Sequence, residues 1–308
     1  MRVAGIDIGT LTCRLLIGEV EEGTPIKTLY SDRKILRLGE GVDLNGRIKP
    51  EAITRVITAL HEWKQAIKAH DVSLSTAVAT SAVREARNRD EFLARVKIET
   101  GMEVEVIDGV EEARRTLLGI RSGLPEEIHD FLGLDIGGGS TEFIVNEQGQ
   151  PIKAISIDIG VVRLTERLLK TDPPTEFELN AAEQLVLELI QQALHELGAV
   201  DGLPLVGTAG TITSLAAIAQ ELTTYDPHRI QNFSLGLATV KEVEHSMVNR
   251  TCKERAGLAG LEAGREEVIV AGTLILRCIM EELGAERCLV SEYGLREGVL
   301  IDLAQRHS

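Results

Sequence analysis

The run Asp135-Ile-Gly-Gly-Gly-Ser-Thr-Glu142 sets three glycines between two carboxylates. With no Cβ atoms in the way, successive glycine N–H groups can face a single point, and such a run forms a nest for an anion. Ser140 and Thr141 add hydroxyl donors. Asp135 and Glu142 are hard oxygen ligands of the kind Mg²⁺ takes, and a bound Mg²⁺ would offset phosphate charge. The chemistry expected is therefore phosphate binding at Gly137, Gly138, Gly139, Ser140 and Thr141, with a metal at Asp135 and Glu142. A plain glycine hairpin with two solvated acids carries the same letters.

An earlier stretch echoes this one. Residues 3–26 and 132–152 both run from a short apolar strand ending in Asp-Ile-Gly, through a hydroxyl-rich turn, into a second apolar strand. Each then reaches a glycine-centred turn, at Gly23 or Gly149, followed by Pro and Ile. Strand, tight turn and strand read as a hairpin. In the first copy Gly9, Thr10 and Thr12 are the candidate phosphate contacts, and Asp7 a metal ligand through water. A third small-residue turn, Gly207-Thr-Ala-Gly-Thr211, falls between a strand and a helix. There Gly207, Thr208, Gly210 and Thr211 would meet an anion at a helix N-terminus, although strand–glycine–helix turns also serve packing alone.

The elements that position these turns alternate between strand and helix. Residues 51–69, 89–100 and 109–122 read as helices and 74–79 and 102–107 as strands. Further on, 163–169, 176–197, 212–222, 266–282 and 295–305 read as helices, and 203–206, 237–243 and 288–291 as strands. Asn88-Arg-Asp-Glu91 and Asp108-Gly-Val-Glu111 resemble capping boxes. Two repeats of one design imply two domains, expected at 1–125 and 126–308, with the last helix free to return to the first.

The chain has 308 residues and a formal net charge of −15. That charge argues against sequence-independent nucleic-acid binding, which needs a basic surface. The sequence has no apolar run long enough to span a bilayer and no signal-peptide pattern at its start, so no membrane partner and a cytoplasmic location are expected. Cys13, Cys252, Cys278 and Cys288 show no paired spacing and read as reduced.

Three phosphate-type turns resemble the superfamily of actin, sugar kinases and heat-shock chaperones. That resemblance implies an α/β fold of two ribonuclease-H-like domains around a central cleft. Four stretches sharpen it: Ala79-Thr-Ser-Ala-Val-Arg84-Glu-Ala-Arg-Asn88, Asp108-Gly-Val-Glu-Glu112-Ala-Arg, Asp135 to Glu142, and Ser291-Glu-Tyr-Gly-Leu-Arg296-Glu-Gly298. In that order they resemble the exopolyphosphatase / guanosine pentaphosphate phosphohydrolase family, in a short form without a helical C-terminal extension. The resemblance implies that Glu112 activates the attacking water and that Glu142 helps orient water and metal. It also implies that Arg84 grips phosphate and that Gly137–Ser140 form the main cradle. Mg²⁺ or another divalent ion is the implied cofactor. The implied substrate is inorganic polyphosphate, or else guanosine pentaphosphate, and a homodimer is left open. The chain departs from the family at Leu11, where an Asn is common, and at Arg265-Glu-Glu267. An ATP-dependent small-molecule kinase and a nucleotide-binding regulator without turnover share the three turns and are the competing readings.

Overall fold

The fold grows from strands whose alternate residues face opposite sides. In the computed structural model, which describes residues 1–21 and 24–307, β1 (Arg2–Ile8) sends Ala4, Ile6 and Ile8 into one apolar cluster and Val3 into another. β2 (Thr12–Glu19) and β3 (Lys27–Ile35) continue the hairpin. The Gly23-centred turn between them lies outside the described residues. After α1 (Val42–Asn45), the helix α2 (Pro50–Ala69) starts on a proline that needs no N–H there and buries Ile53, Val56, Ile57, Leu60 and Trp63. β4 (Leu74–Ala79), α3 (Ser81–Glu85), α4 (Arg89–Thr100), β5 (Glu105–Val106) and α5 (Gly109–Gly123) follow. The sheet order is β3-β2-β1-β4-β5. Its first three strands are antiparallel, and β1, β4 and β5 run parallel.

The second sheet repeats the plan. Its elements are β6 (Phe131–Ile136), β7 (Thr141–Asn146), β8 (Lys153–Ile157), α6 (Val161–Leu168), α7 (Glu176–Leu197), β9 (Leu205–Thr208), α8 (Ala209–Ala219), α9 (Pro227–Ile230), β10 (Ser234–Gly236), α10 (Leu237–Val248), α11 (Cys252–Arg255), α12 (Ile269–Glu282) and β11 (Arg287–Val290). The order β10-β11-β9-β6-β7-β8 matches the first sheet strand for strand, with β10 added antiparallel at one edge. This is the ribonuclease-H-like arrangement, α/β with mixed sheets. The apolar helix α12 packs against α6, α7, α8 and α10.

The chain divides into two compact units, Met1–Gly123 with Tyr293–Ser308, and Leu124–Glu292. The returning segment carries α13 (Leu295–Gln305), which covers the face of the first sheet away from α2. Leu300 and Leu303 join Val3 and Leu16 there, and Leu295 and Val299 join Val78 and Ile107. Glycines set this approach. A Cβ on Gly298 would lie 1.7 Å from the Arg115 carbonyl oxygen, and one on Gly119 would lie 1.9 Å from that of Gly294.

Several sequence expectations are corrected. Residues 237–243 belong to helix α10, because Gly236 ends the short strand before it and Val240, Val243 and Met247 bury one helical face. Asn88 stands at the start of α4 without capping it; its amide bridges the N–H and C=O of Ile48 instead. The strand expected over 102–107 shrinks to Glu105–Val106. Strands β3 and β8 and helix α3 were not anticipated. All four cysteines are free, and Cys13, Cys278 and Cys288 are buried. No described helix is long and apolar enough to cross a membrane.

An ion network fastens α13 to α5. Arg115, 1% exposed, bonds Glu105 with both Nη atoms and Glu111 through Nε. Glu111 also takes two bonds from Arg114, at 2.7 Å each, and Arg114 reaches Asp302 on α13. These arginines hold the Glu111 carboxyl down to about 2, from an ordinary 4.5. A depressed folded-state value gives stability that is present above about pH 4.5 and lost as pH falls toward 2. We therefore expect Glu111→Gln to lower stability by about 1–2 kcal/mol at pH 7. Across the window from pH 4.5 to 2, the variant should lose less further stability than the parent chain, as read by urea unfolding at a series of pH values.

Candidate active site

The turn after β6 is built by capturing its carbonyls. The Gly137 C=O accepts from Val161 N at 3.0 Å, and the Gly138 C=O accepts from Val162 N at 2.8 Å and Arg163 N at 3.3 Å. The Gly139 C=O accepts from the buried Arg163 Nε at 2.8 Å. In a planar trans peptide the N–H points opposite the C=O of the preceding residue. The N–H groups of Gly138, Gly139 and Ser140 are therefore turned away from α6, as successive amides of one nest. Gly160 makes this possible, since a Cβ on it would sit 2.5 Å from Gly138 C and from Gly139 N.

Two expected contacts in this turn have other partners. The Gly137 N–H closes its own hairpin on the Ser140 C=O at 3.0 Å, so it does not join the nest. The Thr141 hydroxyl donates to the Ile159 C=O at 2.7 Å in a fully buried position. Ser140 is buried at the mouth of β7.

The first turn shares the closure but not the full nest. The Gly9 N–H bonds the Thr12 C=O at 3.2 Å, as Gly137 bonds Ser140. The Thr10 C=O is captured by Gly39 N at 2.8 Å, which turns the Leu11 N–H the other way. Leu11, in the place of the family's common Asn, is buried as part of the core. Thr10 and Thr12 are buried as well.

The third turn is closely packed. Gly207 is an interior strand residue that pairs with Leu134 on one side and Val290 on the other. A Cβ there would meet Ile212 and Cys288. Its place in the sheet gives Gly207 a packing reason to lack a side chain. The Thr211 hydroxyl bonds the Ile136 C=O at 3.1 Å, and Thr208 is buried at the end of β9. Ala209 holds φ +71°, a left-handed conformation that costs a residue with a Cβ about 1–2 kcal/mol. Gly210 receives the guanidinium of Arg265, whose Nη2 lies 2.2 Å from where a Cβ would stand.

The carboxylates divide by unit. Asp135 and Glu142 are direct cross-strand partners, so both side chains share one face of the second sheet. Both are buried. Glu142 Oε1 accepts from Ser156 Oγ at 2.7 Å. Among the described residues, no cluster of three or more His, Cys, Asp or Glu side chains surrounds a metal position. A two-carboxylate set fits Mg²⁺, which keeps waters and takes its remaining ligands from phosphate oxygens.

Asp7 is placed differently. Its cross-strand partner is Arg14, whose Nη1 lies 3.2 Å from Asp7 Oδ2. Oδ1 is buried and accepts no hydrogen bond. Burial pushes the Asp7 carboxyl above the ordinary carboxylate range, and Arg14 opposes that push. The expected metal ligand thus has a guanidinium as its cation.

In the first unit Glu112 and Arg84 meet. Arg84 Nη1 lies 3.1 Å from Glu112 Oε2 and 3.0 Å from the Ile107 C=O. Asp108 caps α5 by accepting from Glu111 N at 2.8 Å. Glu111 is spent on Arg114 and Arg115, which leaves Glu112, only 7% exposed, to face Arg84. Arg296 and Glu297 bond each other at 2.8 Å, and Glu297 caps α13 through Gly294 N at 3.0 Å. Arg296 Nη1 also reaches Ser31 Oγ on β3 at 3.3 Å, a contact from this helix to the first sheet. Sequence reasoning missed Gly160, Arg163 and Ser156. The pattern Gly160-Val-Val-Arg163 after an apolar strand was the signal available for the first two.

Duplicated ribonuclease-H-like sheets, a glycine nest and buried carboxylates define a phosphate-handling α/β enzyme class. The model of the Ppx/GppA phosphatase family matches residues 16–307, and the chain belongs to that family. Exopolyphosphatase 2 of Mycobacterium tuberculosis is 38% identical, over 98% of each chain. The crystal structure of the Aquifex aeolicus member of the Ppx/GppA family superposes with a TM-score of 0.82 at 35% identity, covering 100% of this chain and 99% of that one. An exopolyphosphatase structure from Cytophaga hutchinsonii gives a TM-score of 0.91 at 29% identity, covering 99% and 98%. The chain is a phosphoanhydride hydrolase.

The nest yields a direct test. Gly160→Ala drives a methyl group into the Gly138–Gly139 peptide, so we expect a loss of about 3 kcal/mol in folding stability. Phosphate release should fall at least about 100-fold, since small misplacements of positioning groups cost that much. Thermal unfolding and steady-state turnover check the two effects.

Proposed function

We propose that this protein is an exopolyphosphatase, releasing terminal orthophosphate from inorganic polyphosphate by attack of water. The observation that carries the reading is the buried Glu112 carboxylate, 3.1 Å from the Arg84 guanidinium. This pair puts a proton acceptor beside a planar cation suited to phosphate oxygens. The relatives named exopolyphosphatase support the choice of substrate.

In this reading Arg84 of the first unit turns part of its fork to the terminal phosphate. The amides of Gly138, Gly139 and Ser140 are a phosphate-binding nest of the second unit. Glu112 accepts a proton from water as the water oxygen bonds to the terminal phosphorus. The bridging P–O bond breaks, and the chain leaves one phosphate shorter. The reaction needs little covalent chemistry from the protein beyond positioning and charge neutralisation. Asp135 and Glu142 would hold Mg²⁺, which supplies positive charge against the phosphate oxygens when bound.

Glu112→Gln is expected to lower kcat at least about 100-fold, the scale of general-base catalysis, with folding unchanged. Near-normal phosphate release by that variant would end the general-base role. Arg84→Ala should raise KM for polyphosphate more than it lowers kcat. An unchanged KM would remove Arg84 from substrate binding. Turnover of defined polyphosphates beside guanosine pentaphosphate, under one set of conditions, decides the substrate: faster hydrolysis of the nucleotide would overturn the assignment.

A further inference from the structure

A row of side chains crosses each sheet at the same level. In the second unit Thr208, Asp135, Glu142 and Ser156 are register partners on β9, β6, β7 and β8. In the first unit the matching row is Val78, Asp7, Arg14 and Arg33. Direct partners lie on one face, where they interact most strongly. The first row sets an arginine beside its aspartate. The second sets a glutamate there, so two carboxylates stand side by side.

Like charges on neighbouring strands repel. A glutamate has three rotatable bonds, so repulsion would swing Glu142 off any one position unless something held it. Ser156 Oγ, one strand further along, donates to Glu142 Oε1 at 2.7 Å. The bond is charge-assisted and comes from a short side chain on a paired strand, so it can fix the direction of the carboxylate.

We propose that Ser156 is a positioning residue, anchoring Glu142 so that its carboxylate and that of Asp135 face one divalent cation. This rests on the reading of Asp135 and Glu142 as the cation's ligands. Ser156 itself contributes no ligand. The requirement is for a hydroxyl: an acidic residue would add a third carboxylate, and an apolar one would remove the hydrogen bond to Glu142 Oε1.

The test is a Mn²⁺ titration of the full chain without substrate, followed by electron paramagnetic resonance. We expect Ser156→Ala to weaken Mn²⁺ binding about tenfold or more, the usual cost of losing an outer-shell partner. The Mg²⁺ concentration giving half-maximal phosphate release should rise in parallel. Ser156→Thr should restore most of the Mn²⁺ affinity. The Thr and Val variants have equal shape and differ in the hydroxyl, so they decide the matter if the Ala variant folds poorly. Wild-type Mn²⁺ affinity in Ser156→Ala, or equal affinity in the Thr and Val variants, would overturn the proposal. Glu142→Gln is the control. Unchanged Mn²⁺ binding there overturns the cation site together with this proposal. Failure of the exopolyphosphatase reading would appear separately, as no phosphate release from polyphosphate by the unmodified chain.

Discussion

The second unit depends on the orientation of three successive peptide planes. Amides cannot point at an anion unless their neighbouring carbonyls point elsewhere, and carbonyls buried without donors are costly. Here the start of α6 supplies the donors: the N–H groups of Val161, Val162 and Arg163, and the Arg163 side chain. These helix N–H groups have no partner within their own helix. One contact thus satisfies both a helix start and a turn. Gly160 is the spacing element, because only a residue without Cβ lets the two backbones come so close. The three glycines bring no side chain into the nest, and α6 fixes its peptide planes.

The two units show how a duplicated scaffold takes on different electrostatics. Both hairpins close with the same hydrogen bond, Gly9 to Thr12 and Gly137 to Ser140. Both sheets have the same strand order. The side chains over that shared backbone then diverge. Asp7 finds an arginine across the strand, whereas Asp135 finds a glutamate. The first arrangement neutralises itself. The second sets two carboxylates side by side. Backbone geometry came with the repeat, and charge was set position by position.

Much of this was legible in the sequence because it depends on local pattern. The hairpins, the strand ends at Asp7 and Asp135 and most helices follow from periodicity and glycine placement. The pairing of Glu112 with Arg84 was not visible, since 28 positions separate them and only α3 and α5 bring them together. Gly207 packs closely within its sheet, and a small residue beside a turn has the same letter whether it binds or packs. Leu237 misled for a related reason: the short strand ends at Gly236, and the helix begins on the next residue. Ser156 and Gly160 sit in a segment of ordinary composition, and their meaning arises only from cross-sheet register and backbone contact. Asn88 shows the converse, a residue ideally typed for a cap that is recruited by Ile48 instead.

The return of α13 to the first sheet has a consequence for how the protein is made. One face of that sheet is covered by residues 295–305, which are synthesised only after the whole of the second unit. Until then Val3, Leu16 and Val78 lack the partners that bury them in the finished protein. That face of the first sheet therefore cannot be buried in this way until the second unit has been translated. A chain truncated before Leu295 would lose the integrity of its beginning, not merely its end.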